Sequence, residues 1–204
     1  MLLNAGTTGT PASTPRPPAI SKANLSDLIK VALKQSHPTV TVVLNRRVAL
    51  DGSIPYEVLE NDGILAPAKV AAPSCESGPA YILTERGKQT SVSRGWQIYT
   101  SLMVIPVGPI QYVPNSAAVD PMPNPLFKGR RDTYDLTFRY RFLGNSNALY
   151  LLSLAPAFRW TVSLLNLPDV HLGSGRMRVL LSRWRGVWSL SKIPYFRAPR
   201  CGTP

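Results

Sequence analysis

Proline constrains the fold of this chain more than any other residue. Twenty of its 204 residues are proline, about twice the ordinary usage of roughly 5%. Because proline lacks a backbone N–H donor and its ring blocks a helix, this content favours short strands and ordered loops over long helices. Six prolines fall within residues 106–125. We therefore predict a long loop there, with no continuous helix or strand, and loops of that length are usually functional or mobile.

The beginning of the chain divides into an arm and a helix. Residues 1–20 contain Gly, Thr, Ser and four prolines with little apolar surface, which predicts a disordered arm. In residues 21–37 the apolar side chains follow the spacing of an amphipathic helix over about 25–36, with Asn24 as its N-cap and His37-Pro38 as its end. Two interpretations stay open. The apolar stripe packs on the domain, or it joins nearby lysines in a surface for a membrane or partner, formed by Leu25, Leu28, Ile29, Lys30 and Lys34.

From Pro38 onward the hydrophobic period becomes two, so residues 38–204 are predicted to form a β-rich domain. The clearest strand is residues 133–142, in which aromatic and aliphatic side chains alternate with polar and basic ones. Further strands are predicted at residues 40–45, 81–84, 96–105, 149–154, 158–165, 176–181 and 187–190, the last two as a hairpin around residues 183–186. The fold class is α+β and β-rich: a single domain with a partly open β-sheet core and one N-terminal amphipathic helix. The alternative is an all-β jelly-roll sandwich.

Positive charge is concentrated in the C-terminal part of the chain. The formal net charge is +12, and residues 128–204 hold thirteen basic and three acidic residues, which gives +10 for that part alone. Arginine predominates, and its planar guanidinium grips phosphate through two hydrogen bonds. Strand parity places Arg139 with Arg141, and Arg176 with Arg178. If their strands are neighbours, the two pairs form one basic patch.

This concentration predicts a polyanion partner, either RNA or an anionic membrane surface bound peripherally. Arginine that only keeps an exposed strand face soluble is the alternative. Trp184 and Trp188 could stack on bases or seat in a membrane interface, or pack half-buried against the domain. The predicted polyanion-binding residues are Lys128, Arg130, Arg131, Arg139, Arg141, Arg176, Arg178, Arg183, Arg185 and Lys192.

The chain carries no recognisable catalytic motif. Its two cysteines, Cys75 and Cys201, and its two histidines, His37 and His171, are too few and scattered for a zinc cluster or a disulfide framework. Both histidines are predicted in solvated loops. The acidic residues 57, 60 and 62 could bind a cation or a neighbouring subunit's arginines, or form a solvated turn. We expect no enzyme, cofactor, metal or small-molecule substrate, and neither a signal peptide nor a spanning segment is recognised.

The second half of the chain resembles rhabdovirus matrix proteins. The proline-bearing loop leads through residues 126–129 into the alternating strand 133–142, and near the C-terminus a strand is followed by a basic turn and a short strand containing Trp188. The resemblance implies a matrix protein that self-associates, condenses the viral nucleocapsid and bridges it to the inner face of the envelope. It implies a location in the virion and the host cytoplasm, peripheral to membrane.

Two other functions suit the same sequence. A jelly-roll coat protein of a small RNA virus would package RNA, although such proteins usually carry their basic residues in the N-terminal arm, where this chain has only Arg16. A viral movement or silencing-suppressor protein would bind RNA without ordered self-assembly.

Overall fold

The computed structural model describes residues 20–48, 54–69, 78–121 and 133–193. The predicted arm up to residue 19, the basic residues 128, 130 and 131, and both cysteines lie outside these ranges. The helices within them are α1 (Lys22–Lys34), α2 (Tyr56–Asn61), α3 (Glu85–Arg94) and α4 (Ser146–Leu154). The strands are β1 (Thr39–Val43), β2 (Leu65–Ala68), β3 (Ala80–Leu83), β4 (Gln97–Ile98), β5 (Leu102–Pro106), β6 (Ile110–Tyr112), β7 (Ala118–Pro121), β8 (Thr133–Phe142), β9 (Thr161–Leu164), β10 (Leu167–His171), β11 (Ser174–Trp184) and β12 (Val187–Ser191).

The strands form two large antiparallel sheets and one small one. The first sheet has the order β10-β9-β1-β5-β4, and the second has the order β12-β11-β8-β6, with β7 also pairing with β8. Strands β2 and β3 pair separately. The fold is strand-rich and mixed, with a curled, open sheet, which confirms the α+β, β-rich class. The helices distinguish it from an all-β jelly roll.

One hydrophobic cluster joins α1 to both large sheets. On β8 the buried side chains Tyr134, Leu136, Phe138 and Tyr140 alternate as predicted. Helix α1 packs against β6 and β12, the edge strands of the curled second sheet, and buries Leu25, Ile29 and Leu33. Since about 1.5–3 kcal/mol accompanies full burial of one such side chain, this stripe holds the helix on the domain.

The helix begins earlier than the sequence predicted. The Ser21 side chain accepts a hydrogen bond from the Asn24 backbone N–H at 3.2 Å, so Ser21 is the N-cap and the assignment of Asn24 as the cap was wrong. A serine oxygen at this position satisfies one of the N–H groups that the first helical turn leaves unpaired. At the other end His37 has a φ of 44°, which directs the chain out of the helix.

Residues 149–154 are helical in α4 and not the predicted strand. The Asn145 side chain accepts hydrogen bonds from the backbone N–H groups of Asn147 and Ala148, each at 3.0 Å, and this cap starts the helix. Short apolar runs are compatible with both periodicities. Here the cap decides the outcome.

Four further assignments were wrong. The predicted strand 96–105 is a hairpin of β4 and β5. The proline-rich segment contains β6 and β7, and Pro106 and Pro121 stand at strand ends, a position where the missing N–H is tolerated. His171 ends strand β10 and is not in a loop, while Glu57 and Glu60 lie in helix α2 and not in a turn.

Candidate polyanion-binding face

The outer side of the second sheet carries the two arginine pairs that strand alternation predicts to share a face. Strands β8 and β11 are antiparallel neighbours in which Arg176 is the direct partner of Arg139, and Arg178 is the partner of Thr137. Direct partners in an antiparallel pair project to the same side of the sheet. All four arginines are exposed and share this side. We call them the arginine face: Arg139, Arg141, Arg176 and Arg178.

One of the four is held by a carboxylate. The Arg178 Nε–H donates to Asp135 Oδ2 at 2.6 Å, and its Nη2 contacts the same oxygen. The Asp135 carboxylate is buried, and its other oxygen, Oδ1, has no hydrogen-bond partner among the described residues. A buried carboxylate requires a cation, so the main role of Arg178 is to compensate Asp135.

The positive charges of the other three arginines are not compensated by a carboxylate among the described residues. Arg141 Nε–H donates to the neutral Gln111 Oε1 at 2.7 Å. Within the part of the chain that the structure describes, no carboxylate pairs with Arg139, Arg141 or Arg176. Like charges directly opposite each other on a sheet repel and destabilise it. The face therefore presents three positive charges that folding does not require.

A groove adjoins the arginine face between β10 and β11. Its cavity volume is about 840 Å³, and Arg176 and Arg178 line it together with Asp169, His171 and Lys192. Lys192 Nζ lies 3.5 Å from Asp169 Oδ1, and both side chains are half-exposed. We refer to this cavity as the β10–β11 groove.

Tyr140 links β8 to β10 at the border of the groove. Its hydroxyl donates to the His171 carbonyl at 3.1 Å and accepts from the His171 backbone N–H at 3.2 Å. Burial raises the pKa of Tyr140 above its ordinary value, against a smaller lowering by the His171 backbone hydrogen bond. A Cβ on Gly175 would lie 2.7 Å from this hydroxyl oxygen, so glycine is needed where β11 passes over the ring.

The hairpin of β11 and β12 ends in an exposed apolar pair. Trp184 and Val187 are direct partners, and they are 74% and 68% exposed. Arg185 and Gly186 between them have φ values of 49° and 85°, as a two-residue hairpin turn requires. We call residues 184–187 the hairpin tip. Trp188, the next residue, is half-buried. The centroid of its ring lies 6.1 Å from that of the Tyr134 ring and 5.8 Å from the Arg183 guanidinium.

The structure places the predicted helix contact differently. Leu25 and Ile29 are buried in the core, so they are not available to a membrane while α1 stays docked. Leu28 is partly buried, and Lys30 and Lys34 are exposed, with Lys30 Nζ 3.2 Å from Asp27 Oδ1. The apolar stripe therefore packs against the domain. Of the five predicted contact residues on this helix, only Lys30 and Lys34 are exposed.

One residue of the acidic cluster, Asp62, interacts with other residues of the chain. Asp62 pairs with Arg86 at 3.2 Å and accepts a hydrogen bond from the Tyr150 hydroxyl. The Arg94 guanidinium stacks 3.9 Å from the Tyr150 ring centroid. Burial, with the Asp62 hydrogen bond and charge, raises the pKa of Tyr150 to about 12. This network ties α2, α3 and α4 together.

Sequence reasoning missed four residues of the candidate site. Gln111 and His171 were assigned to loops. Asp169 entered the analysis only in the net charge of residues 128–204. Asp135 carried a usable signal, because its parity in β8 puts it on the same side as Arg139 and Arg141.

No protein-family model matches this chain, and neither the curated proteins nor the solved structures contain a match. Among the described residues, no helix is long and apolar enough to cross a membrane. The same residues hold no group of three or more His, Cys, Asp or Glu side chains that could bind a metal ion.

Proposed function

We propose that this protein is a viral structural protein of the matrix type, which self-associates and bridges an RNA-containing nucleocapsid to an anionic membrane. The viral assignment follows the resemblance found in the sequence. The polyanion-binding activity follows from the arginine face, and it does not require a catalytic residue or a cofactor.

The observation that carries the proposal is the direct cross-strand pairing of Arg139 with Arg176. If these residues served only solubility, a mixed pair of charges would do the same and would attract instead of repel. An RNA backbone removes the repulsion by placing phosphates against both guanidinium groups. Phosphate contacts of this kind provide affinity without reading sequence, as a protein that coats nucleocapsid requires.

The membrane contact is assigned to the hairpin tip. The exposed indole of Trp184 suits the boundary between headgroups and acyl chains, and Arg185 beside it attracts anionic lipid. Strand β11 carries the first residue of the tip, Trp184, and two residues of the arginine face, Arg176 and Arg178, so this strand would join the two partners.

RNA binding tests the arginine face. We compare Arg139→Gln plus Arg176→Gln with Arg46→Gln plus Arg47→Gln, since the second pair is also exposed but lies in the chain after β1. For a single-stranded RNA, the slope of log K against log salt should fall by about 1.4 in the first variant, which is about 0.7 for each lost phosphate contact. The slope of the control should change less. Equal losses in both variants would remove the case for a localised face.

Assembly separates this proposal from the other viral functions. Co-sedimentation with phosphatidylserine vesicles and with nucleocapsid is expected of a matrix-type protein, together with concentration-dependent oligomers in sedimentation velocity. Closed, uniform shells in electron micrographs would instead establish a coat protein. If the protein binds RNA but stays monomeric and does not bind vesicles, the movement or silencing function is favoured.

A further inference from the structure

The β10–β11 groove lies between two open strand edges. Strand β12 pairs with β11 only from Leu180 onward, so over residues 174–179 none of the described strands pairs with β11 on that side, although β10 packs beside it. Strand β10 pairs with β9, and its other edge faces the groove. Open edges present backbone N–H donors. On β10 the His171 N–H already donates to the Tyr140 hydroxyl and Pro168 has no N–H, so the donors of this groove are expected on β11.

The groove continues the electrostatics of the arginine face. Arg176 and Arg178 line both, and Lys192 adds a positive side chain past the sheet edge. One acid, Asp169, lies among the lining residues and faces Lys192. An anion that follows the face therefore meets a further cation, Lys192, in the groove, and it competes with Asp169 for this lysine.

Size limits what the groove can hold. Cavities of about 300–1,000 Å³ enclose groups of small-ligand size, and the groove's 840 Å³ falls in that range. The backbone of a single strand can enter such a recess and take hydrogen bonds from side chains and strand-edge N–H groups. A duplex, whose backbones are fixed on a wide cylinder, can lie only across the outer face.

We propose that the β10–β11 groove binds the sugar-phosphate backbone of single-stranded RNA that crosses the arginine face, and that it makes the protein prefer single-stranded to double-stranded RNA. This inference rests on the proposed RNA binding. It adds a separate binding site, in which Lys192 attracts the RNA strand and Asp169 weakens RNA binding by pairing with Lys192.

Two substitutions of opposite effect test the site. Fluorescence anisotropy is measured with an oligouridine and with an RNA duplex of the same length. Lys192→Gln should lose about tenfold in affinity for the single strand, the value of one charged contact, and should leave duplex affinity unchanged. Asp169→Asn should strengthen single-strand binding, because it frees Lys192 and removes a repulsive charge.

Lys88→Gln is the matched control. Lys88 is exposed and pairs with Glu85 at 3.1 Å, as Lys192 pairs with Asp169, but it lies on α3 away from the groove. It should change neither affinity. If Lys192→Gln weakens both RNAs equally, or neither, the groove is not the single-strand site and the inference is wrong. If Lys192→Gln instead lowers binding to phosphatidylserine vesicles and keeps the strand preference, the groove holds a lipid headgroup and the inference is also overturned.

The proposed function fails in a different way. In that case neither RNA binds measurably, or Arg139→Gln plus Arg176→Gln has no effect on either. Circular dichroism and urea unfolding of each variant show that a lost affinity is not a lost fold.

Discussion

The repulsion between Arg139 and Arg176 gives a prediction in which stability and binding change in opposite directions. Arg139→Glu replaces a like-charge pair by an opposite-charge pair at the same register position of β8 and β11. A cross-strand pair of opposite charges contributes roughly 0.2–1 kcal/mol, and a like pair costs a similar amount. The protein should therefore become more stable by about 1 kcal/mol, while its affinity for RNA falls.

The size of the effect depends on solvent exposure. Both side chains are exposed, so salt screens them. The Debye length shortens from about 10 Å at 0.1 M to about 3 Å at 1 M, and most of the gain should disappear at the higher salt. In a chain of this size, 1 kcal/mol corresponds to a rise in Tm of about 2–4 °C.

Urea unfolding at low and high salt, with RNA anisotropy on the same samples, measures both quantities. Arg46→Glu serves as the control for the change in net charge and should give less stabilisation. Arg139→Glu plus Arg176→Glu restores a like-charge pair and should lose the stabilisation of the single variant. If Arg139→Glu is no more stable than the Arg46 control at low salt, the two guanidinium groups do not repel as the register implies, and the argument for the face fails.

Three further predictions concern the fold. Because the pKa of Tyr150 is raised from its ordinary value near 10 to about 12 by burial and by Asp62, its neutral form stabilises the fold fully below pH 10, and this contribution is lost as the pH rises through 12. Urea midpoints should therefore show the gap between wild type and Tyr150→Phe narrowing over that range, and a constant gap would contradict it. Gly175→Ala should cost about 1–3 kcal/mol by overpacking, because its Cβ would meet the Tyr140 hydroxyl; an unchanged urea midpoint would contradict this contact. Ile29→Ala should cost about 2–5 kcal/mol, and vesicle binding lost at unchanged stability would instead mean that α1 leaves the domain.

Local pattern predicted those elements whose two faces differ in chemistry. The bounds of β8 follow from its alternation, because aromatic side chains and arginines cannot exchange sides without burying charge. The β11–β12 hairpin was predicted around residues 183–186 for the same reason, and the structure gives Arg185-Gly186 as its turn. The concentration of charge was readable without a fold, since it depends only on position along the chain.

The missed elements depend on contacts that are distant in sequence. Strands β6 and β7 contain few residues and are defined by pairing with β8, which no local pattern records. Helix α4 depends on a cap, and its apolar residues alone suit either structure. The β10–β11 groove exists because two strands adjacent in sequence belong to different sheets, so its residues are brought together by topology alone.

Core and charge in the second sheet are encoded by alternate residues of the same strands. Phe138 and Met177 are direct partners on the buried side, and the neighbouring positions Arg139 and Arg176 are direct partners on the exposed side. Burial of each large apolar side chain contributes about 1.5–3 kcal/mol, which exceeds the roughly 1 kcal/mol at stake in the arginine pair. The core thus offsets the repulsion. A surface that would be unfavourable alone can therefore keep its full charge, as the proposed polyanion binding requires, and it can be altered by substitution without altering the side chains that specify the fold.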